Sequence, residues 1–241
     1  MKRLITLFFL IFVAVTAHEA DGSTIDRLIA GLYSHNPKTQ MSSVEGLVKL
    51  REGAAIGALV DFVFVVAEDW KVKIRVIQTL GNIADPRISD RLVTLFNNPF
   101  LNENCPSIKW HTAIALGKHF NKGTRAVDTL IEALDHDDLM IREAAVQSLG
   151  KIGDSRAVPF LIQQLTNKSF AIKFSAIKAL ENIGDSRAIP FLKKVAGSDN
   201  DAQVKKAALS ALKNFDRKKA NVSLTDNPGE ALRNFGAMLP R

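Results

Sequence analysis

Apolar residues recur along this chain in one pattern that repeats every 31 to 36 positions. Each repeat is anchored on a leucine, with apolar residues three positions before it and, in most repeats, eight positions before it and three positions after it. These offsets place the apolar side chains on one face of an α-helix. The pattern therefore predicts one amphipathic helix per repeat, called helix A, around each of six leucines: Leu47, Leu80, Leu116, Leu149, Leu180 and Leu212.

A second apolar segment follows helix A after a short turn, as in RAVPFLIQQL at 156–165 and RAIPFLKKV at 187–195. It is long enough for about three helical turns. It lacks the alternation typical of a strand, so it predicts a second helix, called helix B. One such hairpin cannot bury its own apolar face, and its neighbours must cover it. The sequence thus predicts an all-α fold, an α-α superhelix of the α-solenoid type with about six helical-hairpin repeats.

Ten residues occur almost unchanged in two of the repeats, as IGDSRAVPFL at 152–161 and IGDSRAIPFL at 183–192. Together with the preceding helix, this segment closely resembles the HEAT-like repeat of the phycobilisome-lyase (PBS lyase) type. The resemblance is nearly position by position over 141–165 and 172–195 and looser over 74–92. It implies a curved superhelix that commonly presents a binding surface. It does not imply a shared activity, because function resides in sites carried by a fold rather than in the fold itself.

The first 17 residues have the pattern of a signal peptide. Lys2 and Arg3 precede an apolar run over 4–15, and Val-Thr-Ala at 15–17 is typical of a cleavage site. The run is shorter than the roughly 20 residues of a membrane span. The sequence therefore predicts export, to a periplasm or as a secreted protein, with an uncleaved N-terminal membrane anchor as the alternative.

The predicted solenoid covers residues 24–215 and begins with a capping helix in STIDRLIAGLYSH. The apolar run at 59–70 is expected to be a buried helix B rather than an exposed docking strip. Residues 216–241 are predicted to be a basic tail in which Pro228 favours a short final capping helix. The single cysteine, Cys105, cannot form an internal disulfide.

The repeated corner between helix A and helix B carries an aspartate and an arginine. One interpretation is a charged ladder that binds a ligand. We favour a structural role, because a feature that recurs in many repeats serves the repeat. Gly153 and Gly184 can end helix A, and the aspartate can cap the next helix. The residues expected to join neighbouring repeats are Asp85, Arg87, Asp154, Arg156, Asp185 and Arg187.

A basic residue also recurs just after the first apolar position of helix A. A cation near a helix N-terminus opposes the helix dipole, so another interaction must favour it there. The first interpretation is a positive stripe for an acidic partner. The second, which we favour, is local pairing with acids of the preceding loop. The residues are Lys73, Lys109, Arg142, Lys173 and Lys205.

The repeat around Leu116 departs most from the pattern and is the place where a special site would be expected. It contains Cys105, Trp110, His111 and His119. A shared metal ion is disfavoured, because the two histidines lie about 12 Å apart along a helix. No sequence motif indicates a catalytic residue, a metal ligand or a bound cofactor.

Three functions compete on the sequence alone. The leading hypothesis is a non-enzymatic exported scaffold that binds another protein, one with acidic character given the net charge of +7, through a concave helix-B face. The resemblance raises a second, a bilin lyase-like or lyase-chaperone protein. The third, a solenoid that binds nucleic acid or another polyanion, lacks interleaved aromatic residues. Residues expected on the binding face are Arg91, Glu132, Gln163, Gln164, Lys193 and Lys194.

Overall fold

A computed structural model of the protein describes residues 22–50, 53–64, 70–83, 85–99, 106–118 and 125–226. These residues form twelve α-helices and no strand, which confirms the predicted all-α solenoid fold. The helices are α1 (Gly22–Leu32), α2 (Pro37–Leu50), α3 (Gly53–Phe64), α4 (Trp70–Leu80), α5 (Pro86–Phe96), α6 (Pro106–Leu116), α7 (Arg125–Glu132), α8 (Leu139–Ile152), α9 (Val158–Gln164), α10 (Phe170–Ile183), α11 (Ile189–Ser198) and α12 (Ala202–Asp226). Short 3-10 turns cover Ala133–Asp135, Ser155–Ala157 and Ser186–Ala188.

The chain divides into two compact units, one ending at His119 and the other beginning at Phe120. A single solenoid was predicted over 24–215, so this division was not anticipated. It falls within KHFNKGTRAV at 118–127, where the sequence lacks the Gly-Asp-Ser-Arg corner of the later repeats. The first unit contains α1 to α6, and the second contains α7 to α12.

In the first unit, α1 packs on α2 as the predicted capping helix. Helix α3 is the first helix B, and its Leu59 and Phe62 are fully buried. The expectation of a buried helix is therefore confirmed over 59–64, whereas residues 65–69 lie outside the described residues. The A helices α4 and α6 approach closely, because a Cβ atom at Gly81 would lie 3.0 Å from the Cα atom of Ala115.

In the second unit, the A helices α8, α10 and α12 pack directly on one another. A Cβ atom at Gly150 of α8 would lie only 2.6 Å from the Cα atom of Ala179 in α10. The B helices α9 and α11 instead leave an open groove between them. The row of A helices is therefore the tighter side of this unit. The helix-B face, expected from the sequence to be concave, is the more open side.

The repeated corner has the local structure that its residues favour. Gly153 and Gly184 end their A helices with φ of 71° and 74°, a left-handed conformation that side chains disfavour. Asp154 and Asp185 follow and accept hydrogen bonds from backbone N–H groups two residues later. The proline of each copy then lies in the first turn of helix B, where its missing N–H group is not needed.

The last A helix differs from the sequence prediction in two ways. Leu209, expected in the core, is 51% exposed, because in the described part of the chain no helix follows α12 to cover it. Helix α12 also continues to Asp226, so the predicted tail is helical over 216–226. The predicted signal peptide at 1–17 and the capping helix predicted to begin at Pro228 lie outside the described residues. Among the helices described, none is long and apolar enough to cross a membrane.

Candidate functional site

A groove of about 540 Å³ lies between the B helices α9 and α11 of the second unit. Ile162 and Leu165 of α9 and its following turn line one side, and Val195 of α11 lines the other. Polar side chains line it as well, among them Gln163, Asn167, Lys194 and Asn200. The apolar part of this lining suits a bound side chain better than it suits water.

Two phenylalanines are exposed on the same B helices. Phe191 lines the groove and is 46% exposed, and Phe160 occupies the equivalent position of α9. Exposed aromatic side chains are common at protein interfaces, because they bury a large apolar area at a low cost in conformational entropy. Neither was predicted as a binding residue. The helical period of the sequence could have identified Phe160 as exposed. Val158, Leu161 and Leu165 form the buried stripe of α9, and Phe160 lies off that stripe.

The structure places most of the predicted partner-binding residues on the surface. Gln163 and Lys194 line the groove, and Glu132 and Lys193 are exposed on α7 and α11. Arg91 lies on α5 in the first unit, beside a smaller groove of about 170 Å³.

Gln164 does not belong to this set, which corrects the prediction that it is exposed. It is only 9% exposed, and its Oε1 atom accepts a hydrogen bond of 3.0 Å from Nδ2 of Asn167. One residue further along a helix is a rotation of about 100°. That rotation turns Gln164 away from the exposed position of Gln163 and towards the turn that follows α9.

The aspartates and arginines of the corner are engaged with one another. In each copy the arginine donates to the carboxylate two residues before it, with the closest contact 2.6 Å for Arg87 to Asp85. Arg156 also reaches Asp128 on α7 at 3.0 Å, and Arg187 donates to the carbonyl oxygen of Ser155 at 2.8 Å. The bond from Arg187 also holds the pKa of Asp185 below its ordinary value.

These contacts show that two of the three arginines reach a neighbouring repeat. Arg156 joins the corner after α8 to helix α7, and Arg187 joins the next corner to the one before it. The contacts that the structure shows for Arg87 stay within its own corner. An arginine held on both sides in this way is less available to a ligand than an unpaired one.

The repeated cations of helix A are used within the fold rather than as an open stripe. Lys73 is buried. Lys109 lies 4.8 Å from the ring centre of Phe96, and burial lowers its pKa. Arg142 donates to the backbone carbonyl groups of His136 and Asp137, not to the carboxylates that the local-pairing interpretation expected.

Lys173 ties two repeats together at one end of the groove. Its Nζ atom lies 2.7 Å from Oδ2 of Asp199, which belongs to the loop before the next A helix. This bond, with a smaller contribution from the charge of Lys205, holds the pKa of Asp199 below its ordinary value. The pair is largely neutralised, so Lys194 supplies the free positive charge at the lining of the groove.

The irregular repeat around Leu116 shows no grouping of metal ligands in its described part. His111 Nδ1 accepts a hydrogen bond from the side-chain amide of Gln78 at 3.3 Å, and burial lowers the pKa of His111. Its ring lies 4.5 Å from that of Trp110. Cys105 and His119 lie outside the described residues. Within the ranges that are described, no three side chains are placed to hold one metal ion.

A family model described as HEAT repeats matches the sequence over residues 99–172 and 153–213. Residues 99–213 are HEAT repeats. This match confirms the resemblance read from IGDSRAVPFL and its copy, and the HEAT repeats include every residue that lines the larger groove. Among curated protein sequences, none matches this chain.

Several solved structures share the fold. A designed armadillo repeat protein in complex with the peptide (KR)4 covers 79% of this chain and 99% of its own, with 17% identity and a TM-score of 0.55. The complex of CpcE and CpcF of phycocyanin lyase from Nostoc sp. PCC7120 covers 82% and 78%, with 20% identity and a TM-score of 0.52. An engineered protein covers 80% and 96%, with 21% identity and a TM-score of 0.50. At these identities, the likeness supports the fold alone.

Proposed function

We propose that this protein is a non-enzymatic exported scaffold that binds another protein through the helix-B face of its second unit. The observation that carries the proposal is the groove between α9 and α11, with the exposed Phe191 at its side. The HEAT-repeat fold is compatible with protein binding. The likeness to phycocyanin lyase does not extend the proposal to bilin chemistry, because at 20% identity it concerns the fold.

Burial of the Phe191 side chain against a partner would contribute a large part of the binding free energy of such an interface. Aromatic residues at the centre of an interface commonly contribute about 2 kcal/mol or more when truncated. The neighbouring Lys194 adds a free positive charge, which favours an acidic group on the partner. Both residues are exposed, so substituting them leaves the core of the unit intact.

A Phe191→Ser variant is expected to bind the native partner at least tenfold more weakly than the wild-type protein, because the exposed ring supplies apolar contact area. The partner is first captured from the native compartment by the mature protein and identified by mass spectrometry. The dissociation constants of the purified pair are then compared by isothermal titration calorimetry.

Phe170→Ser is the matched control for this experiment. Phe170 is also 46% exposed and lies in the same unit, but it begins helix α10 and does not line the groove. It is expected to leave the dissociation constant nearly unchanged. Equal effects of the two substitutions, or none from either, would move the binding site away from the helix-B face.

Export is the second part of the proposal and rests on the Lys-Arg start, the apolar run and the small residues at 15–17. Protein recovered from outside the cytoplasm is expected to begin at His18 when its N-terminus is sequenced. An intact N-terminus in the membrane fraction would support the uncleaved anchor instead. Recovery of the intact chain from the cytoplasm would contradict export.

A further inference from the structure

One position of three consecutive B helices carries an acid, an amide and a base. Glu132 of α7, Gln163 of α9 and Lys194 of α11 are spaced 31 residues apart, like the Arg-Ala pairs that precede them. All three are exposed. Within the described ranges, the side chains of these three residues form no ion pair and no hydrogen bond, whereas the backbone carbonyl groups of Gln163 and Lys194 accept from Thr166 and Ser198. Their order therefore produces a gradient of charge across the helix-B face.

Neighbouring residues strengthen the same gradient. Asp135 and Asp137 are exposed beyond α7 on the acidic side, and Lys193 is exposed beside Lys194 on the basic side. Helix α9, in the middle, contains no charged residue at all. Asp128 adds little to the acidic side, because Arg156 neutralises it at 3.0 Å.

We propose that this face selects an extended segment of the partner that carries one basic and one acidic side chain at a fixed separation. A basic side chain of the segment lies over Glu132, an acidic side chain lies over Lys194, and apolar side chains between them contact Phe160 and enter the groove. This inference rests on the proposed protein-binding function and specifies the chemistry of the segment that is bound. Opposite charges on facing surfaces give selectivity against wrong partners.

The spacing of the helices sets the spacing of the two charges. The packed A helices, about 10 Å apart, set the step from one repeat to the next, so Glu132 and Lys194 are separated by two such steps, or about 20 Å. An extended chain rises about 3.3 Å per residue, so this distance corresponds to about six residues. Because side chains of an extended chain alternate in direction, residues i, i+2, i+4 and i+6 face the protein together.

An extended segment fits the groove better than a folded second copy of this chain. In the part of the protein that is described, the side-chain amides of Gln163 and Asn200 have no intramolecular hydrogen bond. They can pair with backbone N–H and C=O groups of an extended chain, which need partners when they are buried. The backbone groups of a helix in a second copy are already paired. A charge gradient is also complementary to itself about a two-fold axis, so the experiment must test for a dimer.

Three synthetic peptides test the proposal: GKSLSLSEG, GKSLSLSKG and GESLSLSEG. Each places two charges six residues apart, with two leucines between them on the same side. The wild-type protein is expected to bind GKSLSLSEG about three- to tenfold more tightly than the other two, because each of those places one like charge over the face. Dissociation constants are measured by fluorescence anisotropy at low and at physiological salt.

Charge reversals provide the matched controls, since both positions are exposed and circular dichroism can verify that each variant is folded. E132K makes both ends basic and is expected to prefer GESLSLSEG. K194E makes both ends acidic and is expected to prefer GKSLSLSKG. The double variant E132K/K194E is expected to prefer GKSLSLSEG again, because the segment can run in either direction.

Equal affinity for the three peptides, binding of none of them, or a preference that does not move with the charge reversals would overturn the proposal. The protein-binding function would survive each of these results if Phe191→Ser still weakens binding of the native partner. Sedimentation of the wild-type protein and the variants measures their oligomeric state and tests whether a second copy of this chain binds the face. A dimer that each single reversal dissociates and the double reversal restores would assign this face to a second copy and also overturn the proposal.

Discussion

Replacing Gly150 by alanine is expected to lower the free energy of unfolding of this protein by about 2 kcal/mol. The added Cβ atom would lie 2.6 Å from the Cα atom and 2.7 Å from the Cβ atom of Ala179. Since a backbone atom cannot rotate away, α8 and α10 must separate, and overpacking of this kind costs about 3 kcal/mol. Alanine recovers only about 1 kcal/mol of that through its better helix propensity. Urea unfolding followed by circular dichroism measures the net effect.

Gly197→Ala is the matched control in the same unit. Gly197 also lies in a helix, α11, but apart from its chain neighbours and the nearby backbone of its own helix, no atom lies within 4 Å of the position that its Cβ atom would take. The substitution is expected to raise the free energy of unfolding by up to about 1 kcal/mol, because alanine is the better helix former. The two variants should therefore differ in sign. A stabilising Gly150→Ala would show that the A helices are not in close contact.

The same comparison of two glycines can be made independently in the first unit. A Cβ atom at Gly81 would lie 2.9 Å from the Cβ atom of Ala115. A Cβ atom at Gly57 would instead lie in open space. Gly81→Ala is expected to destabilise by less than Gly150→Ala, because its contacts are longer. In a repeat protein such effects stay local to the interface that is changed. Hydrogen exchange of the backbone amides in the facing helices can verify that.

The close approach of the A helices could not be predicted from the apolar period of the sequence. The period places Ile141, Val146 and Leu149 in the core, and all three are buried. It does not reveal that Gly150 faces Ala179, because that contact depends on how one repeat is rotated against the next. The tight helix-A row and the open helix-B row follow from such small residues.

The predictions for the ends and the middle of the chain depended on neighbours that a repeat pattern does not specify. Leu209 has the same place in the pattern as Val146, but it is exposed because the described chain has no helix beyond α12. The repeat around Leu116, which ends in the altered corner at 118–127, is where the sequence predicts a special site. In the structure, the division between the two compact units falls within this corner.

The candidate site was predicted in part. Helical periodicity was sufficient to place Gln163 and Lys194 on the surface of their helices. It missed Phe160 and Phe191, because an apolar run is assigned to the core unless its phase is followed residue by residue. The groove itself could not be predicted from the sequence, because it depends on the distance between two helices that lie about 30 residues apart in the chain.

Removing the carboxylate of Asp154 is expected to lower the free energy of unfolding by about 2 kcal/mol, against about 1 kcal/mol for Asp185 in the second copy of the same corner. Both side chains cap the following turn and bind the arginine two residues later. The Asp154 side chain is only 8% exposed, compared with 19% for Asp185. Unsatisfied groups left behind by Asp154→Ala are therefore less accessible to water, and unfolding measurements on Asp154→Ala and Asp185→Ala should separate the two copies.

An asparagine at the same position distinguishes the two contributions of this carboxylate. Asp154→Asn keeps an oxygen that can accept from the Arg156 backbone N–H, but it loses the charge that holds the guanidinium group. It is expected to cost less than half as much as Asp154→Ala, because capping supplies the larger part of the stabilisation. Asp128→Ala, which removes only the exposed partner of Arg156, should cost less than about 1 kcal/mol. If Asp154→Ala and Asp185→Ala lower the free energy of unfolding equally, the local sequence of the corner, and not its burial, decides how much the corner stabilises the fold.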